Sequence, residues 1–200
     1  MKSLIIISFI LALTLNKCFG QDLTSFEDIK TFILDLPINS DKASIVKAAK
    51  EKFKHNKIDS FVLQSNTKIY FEDTSITYNY FNKTPILTTL KIYDLWSFDN
   101  NQSNDTTLYI IIDASFGSDK KAERKMFRQY YSLKNKFEEK FVSQKPYSIY
   151  ADGKIAEGVN FLFSENENEP IFNIGWSNGG CFPNYHVAVS FRRKNSYAQH

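Results

Sequence analysis

Apolar residues recur at two different periods along this chain, and the switch between them predicts its elements. Ile45, Val46, Ala49 and Phe53 fall at helical spacing, and Ala122, Met126, Tyr130, Leu133, Phe137 and Phe141 do the same over a longer run. Such spacing gathers the apolar side chains on one face of an α-helix. Ser40 and Ser118 stand at the expected N-caps, with Asp41 and Asp119 in first turns whose positive end favours a carboxylate. Pro146 bars any further helix after the second run. Period-two alternation appears at Ile69, Phe71, Ile76, Tyr78 and Tyr80, with Asp73-Thr74-Ser75 as a turn, and again over 185–191. There Tyr185, Val187, Val189 and Phe191 face one way and His186, Ala188, Ser190 and Arg192 the other, so that strand is expected to be half-exposed. Residues 86–96, 159–163 and 171–176 also read as strands, while 108–112 is apolar without alternation, as a central strand covered on both faces would be.

The pattern occurs twice. Phe32-Ile33-Leu34-Asp35 through Ser40-Asp41-Lys42 aligns with Ile110-Ile111-Ile112-Asp113 through Ser118-Asp119-Lys120 at a shift of 78 residues. Ile92-Tyr93-Asp94-Leu95-Trp96-Ser97 aligns with 171–177 at nearly the same shift. Two matches in one order at one offset predict a duplicated unit. The expected fold class is α+β: two tandem βαβββ-like units, an antiparallel sheet with one helix per unit packed on one face. The units are placed at 21–98 and 106–200, joined by the polar loop 99–105, and can form one domain. In architecture alone, tandem α/β units in an exported chain resemble β-lactamase-inhibitor-like folds.

Residues 1–20 change the arithmetic of the rest. Lys2, an apolar run of about a dozen residues and Gly20 before Gln21 read as a cleaved secretory signal, too short to span a bilayer. The chain is therefore expected to be exported, periplasmic or secreted. Lys17 stands where a lipoprotein box needs a small residue, so lipid anchoring at Cys18 is not expected. Without Lys2 and Lys17, 25 basic side chains become 23 against 22 acidic ones, a net charge of +1. That balance gives no reason to expect nucleic acid, and no second apolar stretch suggests a membrane span. Cys181 is left as an unpaired thiol, so packing must supply the stability that disulfides give many exported domains. Aromatic residues make up 16% of the chain, which suits a strand-rich protein.

Candidate chemistry is sparse. Ile112-Asp113-Ala114-Ser115-Phe116-Gly117-Ser118 resembles the metal-ion-dependent adhesion motif of von Willebrand factor A domains. Asp113 and Ser115 match its Asp-x-Ser-x-Ser pattern, whereas Gly117 holds the third position and Ser118 falls one place late. The resemblance implies hard oxygen ligands for Mg²⁺ at Asp113 and Ser115. Cys181 lies five residues before His186, and an imidazole beside a thiol can make a nucleophile. Three histidines and two cysteines offer no zinc spacing, and neither a Gly-rich phosphate loop nor a serine nucleophile elbow occurs. No cofactor is expected. Trp96 and Trp176, with Tyr93 and Phe172, occupy matching positions in the two copies and are candidates either for core packing or for a ligand-binding aromatic surface.

The expected function is therefore an exported, non-enzymatic protein that binds a macromolecular or small ligand through its sheet surface. An immunity or inhibitor protein is a special case of that reading. The alternative is a hydrolase using Cys181 and His186, or a metal at Asp113.

Overall fold

The computed structural model describes residues 29–53, 57–63, 66–73, 78–96, 106–141, 143–151, 154–162, 171–178 and 184–195. The segment 1–20 with Cys18, the loop 99–105, Cys181, His55 and His200 lie outside these residues. Within them the fold is mixed α+β. Eight strands form one sheet, paired antiparallel throughout: β1 (Lys57–Leu63), β2 (Asn66–Asp73), β3 (Leu87–Trp96), β4 (Thr106–Ser115), β5 (Ser143–Ala151), β6 (Lys154–Leu162), β7 (Ile171–Asn178) and β8 (His186–Lys194). Their spatial order is β1-β2-β3-β4-β8-β7-β6-β5, so β4 and β8 meet at the centre. Two α-helices, α1 (Lys42–Lys52) and α2 (Lys120–Glu138), precede β1 and β5.

Each helix is capped one residue later than the sequence pattern suggests. Asp41 accepts from Ser44 N at 2.8 Å, and Asp119 accepts from Ala122 N at 2.6 Å. A carboxylate at the N-cap satisfies a free amide and meets the positive end of the helix dipole. These hydrogen bonds hold the Asp41 carboxyl below the usual carboxylate range.

One row of directly paired residues shows how the core is built. Ile92, Ile110, Phe191, Phe172 and Phe161 lie opposite one another across β3, β4, β8, β7 and β6. All five are fully buried. Paired residues share a face of the sheet, and both helices cover this one. Phe137 of α2 meets Phe172 edge-on at 5.0 Å between ring centroids, and Phe127 meets Trp176 at 4.9 Å. Ile45 and Ala49 of α1 enter the same core. Each side chain of this size contributes about 2 kcal/mol by leaving water. Much of the aromatic content is thus spent here, in a cluster of Phe32, Phe137, Phe141, Phe161 and Phe172.

Residues 32–36, where a βαβββ-like unit needs its first strand, form a 3-10 turn (Thr31–Ile33) followed by Leu34 and Asp35 at φ 56° and 54°. Their apolar positions reflect burial of an irregular segment: Ile33, Leu36 and Ile38 are almost wholly enclosed. Backbone bonds such as Leu36 N to Ile33 O at 3.0 Å hold part of it, and side chains satisfy further carbonyls. Tyr78 Oη donates to Phe32 O at 2.6 Å, Lys52 Nζ donates to Leu34 O at 2.6 Å, and Arg193 Nε donates to Ile38 O at 2.8 Å. The buried Arg193 guanidinium also donates to Ser40 O, pinning this segment against β8. Tyr78 and Tyr80 likewise sit in a turn rather than a strand. Gln129 of α2 holds that turn, accepting from Lys83 N at 3.0 Å and donating to Tyr80 O at 3.1 Å.

Candidate functional site

With both helices on one side, the alternate residues of each strand form a second face. Alternation of buried and part-exposed positions along β4 and β8 marks it, and the register extends it across the sheet. One row runs Lys91, Ile111, Ser190, Asn173, Asn160 and Lys145, from β3 to β5. The next runs Tyr93, Tyr109, Arg192, Ile171 and Leu162. Leu162 and Ile171 are buried yet stand outside the core cluster, as residues on the opposite face must.

Two hydrogen-bonded groups and one stacked pair occupy this face. Asp113 bridges three strands: its Oδ2 lies 2.7 Å from Lys91 Nζ on β3, and its Oδ1 lies 3.2 Å from His186 Nδ1 on β8. Burial alone would push the Asp113 carboxyl up, but the His186 hydrogen bond and the Lys91 charge outweigh it and hold the group below the usual range. Asn173 gathers the second group. It donates to Asn160 Oδ1 at 2.9 Å and accepts from Ser190 Oγ at 3.3 Å and Tyr147 Oη at 3.4 Å. The Tyr147 ring lies across Gly158 and Gly175, where any Cβ would overlap it. Two glycines in neighbouring strands thereby seat one aromatic ring. The third group is the Tyr93–Tyr109 pair, stacked with centroids 5.3 Å apart and planes 8° from parallel.

The sequence candidates distribute unevenly over this arrangement. Asp113 and His186, marked for two unrelated reasons, come together; Lys91, which nothing in the sequence singles out, joins them. Ser115 pairs in register with His186, and its buried Oγ has no hydrogen-bond partner among the described residues. Both oxygens of Asp113 are already engaged, by the Lys91 ammonium and the His186 ring, in competition with a metal ion. Among the described residues no three His, Cys, Asp or Glu side chains gather to hold one. Of the aromatic candidates, Phe172 is fully buried and Trp176 nearly so beneath the helices, whereas Tyr93 stands part-exposed on the opposite face. The side chain of Trp96 lies outside the described residues, so the four are not seen as one surface.

A separate recess of about 440 Å³ opens between α2 and the β5–β6 edge, lined by Tyr130, Lys134, Pro146, Ser148, Glu157 and Val159, among others. Burial pushes the Tyr130 hydroxyl up to about 12, so it is a hydrogen-bond donor throughout the neutral range. No helix among the described residues is long and apolar enough to cross a membrane. Comparison of the chain with protein-family models, with curated proteins and with solved structures gives no match.

Proposed function

We propose that this chain is an exported, non-enzymatic protein that binds a macromolecular or small ligand through its sheet surface, on the face opposite the two described helices. The observation that carries the reading is the one-sided placement of both helices. It leaves a second face, buried at Thr89, Ser115, Leu162 and Ile171, that carries stacked tyrosines, the exposed Arg192 and hydrogen-bonding amides. Flat surfaces of Tyr and Arg with polar surroundings are the composition of protein recognition sites, and a deep cleft is what small-molecule chemistry usually needs. An immunity or inhibitor role is a special case, in which the partner is a toxin or enzyme.

The sheet order supports a duplicated unit, in which α1 with β1–β4 and α2 with β5–β8 meet along β4–β8. On that reading the strand at 106–115 closes the first unit instead of opening the second. The test of the binding reading is a pull-down from the exported fraction with the wild-type chain and with a Tyr109→Ser, Arg192→Ser double variant. A species retained by the wild type and released by the variant is expected; identical capture by both overturns the reading.

A hydrolase is the second reading, favoured by the 3.2 Å contact that orients His186 through Asp113. Cys181→Ala and Asp113→Ala variants that leave an observed hydrolytic activity unchanged exclude it.

A further inference from the structure

Among the described side chains, the charges on the face opposite the helices are one-sided. They include four basic groups, Lys91, Lys145, Arg192 and Lys194, against one carboxylate, Asp113, and Lys145 has a contact of its own. That carboxylate is already engaged, with Lys91 on one oxygen and His186 on the other. Every acidic residue that β5 to β8 contribute among these side chains falls elsewhere: Glu157 pairs with Trp176 and lies on the helix-covered side. The excess belongs to the surface and not to the whole chain, whose net charge falls to +1 without residues 1–20. Arg192 is exposed and lies in register between Tyr109 and Ile171, so a cation stands beside a stacked aromatic pair and an aliphatic residue.

We propose that this face docks an acidic segment of another protein, with Arg192 as the central anchor and the Tyr93–Tyr109 stack as its apolar floor. The proposal rests on the reading of this face as a binding surface and adds the chemistry of the partner. Opposed charge steers encounter and fixes orientation, while Tyr and Arg supply the side chains that dominate protein recognition energetically. Asn160, Asn173 and Ser190 offer further hydrogen bonds along the neighbouring row. A polysaccharide would more simply be met by isolated rings exposing a full face; here the two rings cover each other.

Fluorescence anisotropy of labelled poly-L-glutamate with the full chain tests this, with heparin and poly-L-lysine as matched probes. Poly-L-glutamate is expected to bind at low ionic strength and to be released by roughly 0.5 M salt. Arg192→Glu should weaken it about tenfold, Arg192→Gln should weaken it less, and Lys47→Glu on the outer side of α1 should leave it unchanged. If Arg192→Glu fails to fold, Arg192→Gln decides alone. Equal binding by wild type and both Arg192 variants overturns the proposal. So does heparin bound more tightly through the same residues, which assigns the face to anionic polysaccharide. An uncharged ligand held at Tyr93 and Tyr109 overturns the acidic partner while leaving the binding surface intact; no ligand of any kind at this face overturns both.

Discussion

The two faces of the sheet are made from the same strands, and often from adjacent residues, yet they are organised by different forces. On the covered face, Phe191 and Phe172 lie side by side with Phe137 against the latter, and fully buried apolar side chains fill the space. One residue away, Arg192 and Asn173 project from the other side, where hydrogen bonds and charges stand beside the packed Leu162, Ile171 and Tyr147. Packing tolerates little change in volume, whereas a solvated polar surface tolerates much. The difference teaches where to look for function: a face whose composition the fold does not demand is free to serve a partner.

The largest effect that distinguishes the faces is expected from Phe172→Ala. It removes a ring enclosed by Phe137, Phe141 and Phe161 and should cost about 4 kcal/mol in denaturant unfolding. The two glycines under Tyr147 come next and separate rigid from yielding neighbours. At Gly158 a Cβ would strike the Ile174 carbonyl oxygen, which is backbone, as well as the Tyr147 ring. At Gly175 it would chiefly strike the Tyr147 hydroxyl, the free end of a side chain. Gly158→Ala should therefore cost about 2–3 kcal/mol and Gly175→Ala about 1. Tyr147→Ala should rescue only the latter in a double-mutant cycle; equal rescue of both would contradict this geometry.

Asp113 gives a smaller effect with a definite pH signature. Its folded carboxyl titrates below its ordinary value of 3.8, so its stabilising contribution is present above that value and is lost as pH falls through the folded one. The stability difference between wild type and Asp113→Asn should shrink as pH falls below 3.8; a difference that grows over that range would sink the assignment. Smallest of all should be the stability cost of Arg192→Gln, within about 0.5 kcal/mol. The same charge matters for binding and not for folding, which is the asymmetry the two faces imply.

The covered face was largely legible in the sequence. Helical spacing placed both α-helices, and the alternation at 185–191 correctly separated Val187, Val189 and Phe191 from His186, Ser190 and Arg192. The edge strands were not legible. In β5, Lys145, Pro146 and Ser148 interrupt any apolar period, because an edge strand need not bury a full face and gains from residues that discourage further pairing. Tyr78 and Tyr80 mimicked strand alternation while sitting in a turn held by Gln129, since tertiary contacts rather than pleating set their burial. The candidate site was half-legible. Asp113 and His186 each stand out in the sequence, but their meeting with Lys91 depends on the register of β3, β4 and β8, which one sequence does not reveal.

The most direct test is an amide NMR map of the full chain titrated with poly-L-glutamate. The account predicts shift changes concentrated around 91–93, 109–111 and 190–194, with α1 and α2 unmoved. Changes concentrated on the outer surfaces of the helices, with those three strand segments silent, would contradict it.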